Sequence, residues 1–109
     1  MDSVQGVSQT TQNLTHQILR GLVLNIVCEA DPLGAGIELI KSALQQHGYS
    51  IDKNGVLVIC KYLEGKSLLK MQNYGNAVLK ISRDIAYITP KGIDVLEGTE
   101  TVDGIELGL

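Results

Sequence analysis

The stretch from Ile88 to Gly98 constrains the fold of this chain more than any other, because it writes a strand-to-helix boundary in residue chemistry. Ile85, Tyr87 and Thr89 alternate with Ala86 and Ile88, the period of a strand. Thr89 can turn its hydroxyl onto the free N–H groups of a first helical turn. Pro90 at the first helical position gives up no hydrogen bond, since that N–H has no acceptor within the helix. Gly98 can close the helix in the left-handed conformation. The boundary predicts a helix over 90–97, with Ile93 and Leu96 packing it on the core and Val95 alongside.

Upstream, the apolar spacing predicts three helices. The first runs from a cap at Thr10, Thr11 or Asn13 to about Ala30, carrying Leu14, Ile18, Leu19, Leu22, Val23, Ile26 and Val27. These cover more than the ~100° stripe of a single packing face. Such a helix is either central to the core or buried against a second copy. In the second case Leu24 and Val27, furthest from the stripe centre, are the interface. Asp31-Pro32 ends it. Leu33-Gly34-Ala35-Gly36 is a loop or a brief strand, and helix two spans about 37–47 with Gly48 just beyond its end. Helix three, capped by Ser50 or Asp52, spans about 52–64 and turns Val56, Ile59, Cys60 and Leu63 inward.

Leu68 to Gln72 reads as a strand and Asn73-Tyr74-Gly75-Asn76 as a reversal. Ala77 to Ile81 is extended, Ser82-Arg83-Asp84 is turn-like, and 85–89 is extended again. Two turn signals leave either one hairpin with a long tip or a three-stranded meander. Residues 1–9 lack periodicity and read as a flexible arm, 10–98 as the folded domain, and 99–109 as an acidic tail outside it. The alternation of Ile105, Leu107 and Leu109 would let that tail add to a sheet edge.

With 109 residues the chain suffices for one core and not two. Its formal net charge of −3 speaks against a nucleic-acid partner, but the distribution reverses that reading. Residues 1–40 carry −3, residues 41–91 carry +5 and residues 92–109 carry −5. Cys28 and Cys60 each lie in an apolar run without motif spacing, as expected of reduced core thiols. Neither a signal peptide nor a membrane span is evident, so the cytoplasm is the expected location. Paired cysteines at zinc spacing and a phosphate-binding loop are both missing, and the two histidines, His16 and His47, fall in different helices. No enzyme, metal, cofactor or small-molecule ligand is expected.

Helices two and three, joined through Gly48-Tyr49-Ser50, are close enough to pack at a steep angle and let the third enter a major groove. Here the chain resembles the winged helix-turn-helix superfamily, in particular its small prokaryotic and phage-type members. The resemblance rests on Tyr62-Leu63-Glu64-Gly65-Lys66-Ser67-Leu68 at the exit of helix three and on the Ile88–Gly98 pattern that closes the wing, and it covers residues 14–98. It implies a mostly α (α+β) fold, with a three-helix core, a β-wing and a short C-terminal helix. It also implies a small transcriptional regulator that binds double-stranded DNA through helix three and the wing, with homodimers through terminal helices in many members.

On that reading Lys53, Lys61, Lys66, Lys70, Lys80 and Arg83 meet phosphates, and Asn54 is placed to read a base edge. Helix three departs from the usual pattern, having no arginine and offering Leu57 and Val58 at outward positions. If those two form the working face, the domain is a protein-interaction or assembly module without DNA binding.

Overall fold

The computed structural model describes residues 2–107, with side chains from Gln12 onward. In chain order the elements are α1 (Asp2–Glu29), β1 (Ala35–Gly36), α2 (Ile37–Gln46), α3 (Lys53–Gly65), β2 (Leu69–Asn76), β3 (Ile81–Ile88) and α4 (Pro90–Glu97). The strands form an antiparallel sheet in the order β1-β3-β2.

Local chemistry sets most boundaries. Asp52 caps α3 by accepting a hydrogen bond from the Gly55 backbone N–H at 2.7 Å. Gly48, at φ +89, closes α2, and the next residue, Tyr49, returns its N–H to the Leu44 carbonyl at 2.9 Å. Thr89 caps α4, its Oγ1 accepting from Gly92 N–H at 3.0 Å, and Gly98 ends that helix at φ +81. The same Thr89 hydroxyl donates to the Ser67 carbonyl at 2.7 Å, so one side chain ties α4 to the link between α3 and β2.

The core lies where α1, α2 and α3 meet the inner face of the sheet. Leu19, Val23, Leu24, Ile26 and Val27 of α1 pack there with Ile37, Ile40, Leu44, Val56, Cys60, Leu63, Leu68, Leu69 and Ala86. Leu24 and Val27 have no exposed surface at all. They therefore cannot form a dimer interface: the wide apolar face of α1 exists because this helix crosses the centre of the chain's own core.

Three further expectations change. The strand pair is one hairpin closed by a turn over 77–80, because Ser82-Arg83-Asp84 continues β3 instead of breaking it. Those polar residues hold strand structure because Asn73 Nδ2 donates across the ladder to Ser82 Oγ (3.0 Å) and Asp84 Oδ1 (2.9 Å). Helix α4 seats through Gly92 and Val95, with Ile93 and Leu96 only half-buried. The packing face is thus centred on Val95, since Gly92, lying against the Leu68 carbonyl, sets the approach. Finally, α1 begins at Asp2 and takes in the stretch read as an arm: without a proline there, a formed helix propagates at little cost.

The acidic tail also differs from expectation. Through residue 107 it forms no strand, but it packs back onto the domain. Glu106 N–H donates to the Gln17 carbonyl at 3.0 Å, and Val102 and Ile105 rest on the core. Buried Gly21 makes room for the Glu106 carbonyl, which a side chain there would strike. At Gly104, whose φ is +88, an added side chain would likewise meet the Tyr62 hydroxyl. The tail belongs to the domain because two glycines let backbone approach where any other residue would clash.

Candidate nucleic-acid interface

Helix α3 buries Val56, Cys60 and Leu63 and thereby fixes what it shows outside. Burial pushes the Cys60 thiol up to about 12, with Glu64 adding to the effect, so it is a core group and not a nucleophile. On the far side Asn54, Val58 and Lys61 succeed one another at spacings of four and three, forming one exposed ridge. Val58 is 68% exposed between the two polar residues. Leu57, by contrast, is half-buried and packs against the core, so Leu57 and Val58 do not form one patch. Helical geometry interleaves the polar and apolar candidates instead of separating them.

Beside this ridge runs a groove between the N-terminal ends of α2 and α3 and strand β3. It is lined by Lys53 from α3, Lys80 and Arg83 from the hairpin, Glu38 and Leu39 from α2, and Ile81 and Asp84 from β3, among others. Three cations face two carboxylates, and both carboxylates are engaged. Glu38 lies 3.7 Å from Lys53 Nζ, an exposed pair worth little in water, and Asp84 accepts from Asn73. Lys53, Lys80 and Arg83 are distant in sequence, and only the fold brings them together.

Lys66 and Lys70 lie outside this groove. Lys66 follows the end of α3, its Nζ 5.7 Å from the Tyr62 ring centroid. Lys70 is exposed on β2 opposite Tyr87, whose hydroxyl lies 2.8 Å from that of Tyr74. This hydrogen bond holds the Tyr87 pKa above its usual value, with a smaller part from burial. Glu64 Oε2 accepts from Met71 N–H at 3.0 Å, pinning the end of α3 to β2 and so fixing the hairpin relative to the ridge.

Sequence reasoning missed two features. The hairpin turn is apolar, with Val78 90% and Leu79 64% exposed. The signal was present in Ala77-Val78-Leu79, but an extended reading hid the turn. The second is Arg20, whose guanidinium stacks 3.8 Å from the Tyr62 ring centroid while Nη1 donates to the Gly104 carbonyl at 3.1 Å. This links α1, α3 and the tail, and no local pattern announces it. His16 and His47 line different clefts, and among the described residues no group of histidine, cysteine or carboxylate side chains could hold a metal ion.

A similar solved structure is the crystal structure of a PadR family transcriptional regulator from Eggerthella lenta DSM 2243. The likeness has a TM-score of 0.58 and covers 90% of this chain and 80% of that one at 18% sequence identity. The fold is a winged helix. Helices α1, α2 and α3 are its helical core, β1 is the short first strand, and the β2–β3 hairpin is the wing. No protein-family model and no curated protein matches the chain. Among the described residues no helix is long and apolar enough to cross a membrane.

Proposed function

We propose that this winged-helix protein binds double-stranded DNA as a small transcriptional regulator, with the α3 ridge in the major groove and the wing along the backbone. The observation that carries this reading is the convergence of Lys53, Lys80 and Arg83 on one groove beside the exposed face of α3. Phosphate contacts supply most of the affinity in such complexes and set the register. Lys61 on the ridge adds a fourth cation, and Asn54 is the side chain suited to pair with an adenine edge. Lys66 and Lys70, outside the groove, become secondary phosphate contacts. The proposed setting is the cytoplasm of a prokaryote or its phage. If two copies associate through α1, Leu14, which is 49% exposed, replaces Leu24 and Val27 as the apolar contact.

Fluorescence anisotropy with a mixed-sequence duplex tests this function. Lys61→Ala and Arg83→Ala should each weaken binding on every sequence and lower the salt slope by about 1, whereas Asn54→Ala should mainly relax sequence preference. Unchanged binding in all three variants would reject the assigned face.

The exposure of Val58 within the ridge favours a second reading, a protein-interaction module. Under it, Val58→Asp abolishes partner binding in a folded domain, and duplex DNA shows no salt-sensitive binding. Leu57→Asp is no longer suited to this test, because Leu57 packs on the core.

A further inference from the structure

Val78 and Leu79, in the turn of the wing, take no part in the phosphate contacts just described. Val78 is 90% exposed, Leu79 64% and Ile81 45%, and Tyr74 follows at 49%. Apolar side chains gathered at the end of a projecting hairpin cost solubility unless something covers them. The turn is also held in shape. Asn76 Oδ1 accepts from Leu79 N–H at 3.0 Å, Lys80 takes a left-handed φ of 54°, and strand pairing continues to Asn76 opposite Ile81. Asn73 clamps the strands just below through Ser82 and Asp84.

Charge decides between occupants. The hairpin carries Lys70, Lys80 and Arg83 against a single carboxylate, Asp84, which accepts a hydrogen bond from Asn73. The tip is therefore an apolar point with Lys80 and Arg83 close beside it on the β3 side, a combination suited to a side chain that enters a nucleic acid while neighbouring cations hold phosphates. Two strands spaced about 4.8 Å apart taper to a turn that enters a minor groove of about 6 Å only edge-on, with its tip leading.

We propose that Val78 and Leu79 form a wedge that enters the minor groove and unstacks one base step, so that the protein binds DNA in a bent form. The proposal rests on the DNA-binding reading and adds to it a deformation of the duplex. Flexible pyrimidine–purine steps are the preferred points of entry, because they unstack most easily.

The test uses the full chain and a short mixed-sequence duplex with 2-aminopurine at a central TA step and a donor–acceptor pair at its ends. Saturation with the wild-type protein should brighten the 2-aminopurine and raise energy transfer. The double variant Val78→Ser/Leu79→Ser, altered only at exposed positions, should keep the salt slope, lose both signals and bind about tenfold more weakly. Arg83→Gln should lower the slope by about 1 and keep the brightening. Salt-sensitive binding by the wild type without either signal, or equal signals from the serine variant, overturns the wedge and leaves the DNA-binding reading intact. Self-association that disappears in the serine variant, without any base unstacking, overturns it in favour of a protein contact. A wild type that does not bind duplex at low salt overturns both.

Discussion

Replacing Gly92 with alanine should destabilise the domain, against the usual rule for a helix interior. Gly→Ala inside a helix ordinarily gains about 1 kcal/mol from backbone propensity. Here the new methyl would run into the Leu68 carbonyl oxygen and come within 2.7 Å of Ile88 Cδ1. The carbonyl is backbone and is not free to move, since it accepts a hydrogen bond from Thr89 N–H at 3.2 Å. Relieving the overlap therefore means lifting α4 from the core, where Val95 is buried, or breaking that bond. Overpacking costs about 1–3 kcal/mol and the weakened hydrogen bond about 1 kcal/mol more. Set against the propensity gain, the net loss is about 1–3 kcal/mol. Gly65→Ala is the internal control: nothing lies within 4 Å of a methyl there, so at the end of α3 the same change should gain up to about 1 kcal/mol. Urea melts followed by circular dichroism measure both. If Gly92→Ala gains stability as Gly65→Ala does, α4 is not seated on the Leu68 carbonyl and the account of the wing's base is wrong.

Thr89→Ala removes both the α4 cap and the hydrogen bond to Ser67, so its cost in the same melts should be about 1–2 kcal/mol, more than the cap alone. Truncation after Gly98 removes Val102 and Ile105 from the core surface and should destabilise the domain by roughly 2–4 kcal/mol; an unchanged melt would return the tail to its expected separate status. Cys60, with its pKa pushed up to about 12, is protonated throughout the neutral and mildly alkaline range. It should resist alkylation in the native protein at pH 8 and react once urea unfolds the chain, and rapid native labelling would contradict its burial.

What could be read from the sequence was the chemistry that acts over one turn of chain. Asp52, Thr89, Gly48 and Gly98 mark helix ends through their own hydrogen bonds or φ values, and the structure keeps each in that role. What depended on distant partners was not legible. The polar triplet Ser82-Arg83-Asp84 has the composition of a turn, and only the cross-strand side chain of Asn73 shows why it is strand. The wide apolar face of α1 fitted a core helix and a dimer helix equally, until packing against two helices and the sheet buried Leu24 and Val27. The docking of the tail depends on Gly21 and Gly104 being empty at two points of close approach, and nothing near either glycine indicates this.

The candidate interface divides in the same way. Its cations were visible as the basic middle of the chain, and the proposed interface uses Lys53, Lys61, Lys80 and Arg83. That Lys53 shares a groove with the wing, and that Glu38 and Asp84 stand in the same groove, follows only from the fold. Whether Val58 or Asn54 dominated the outer face could not be separated, because a helix of this sequence presents both on one ridge.

The central claim is met most directly by a salt titration of wild-type binding to random-sequence duplex DNA. With Lys53, Lys61, Lys80 and Arg83 on phosphates, the logarithm of the binding constant should fall linearly with the logarithm of salt concentration, with a slope of about −3 to −4. A slope near zero, or no binding at low ionic strength, would contradict the assignment of this winged helix to DNA.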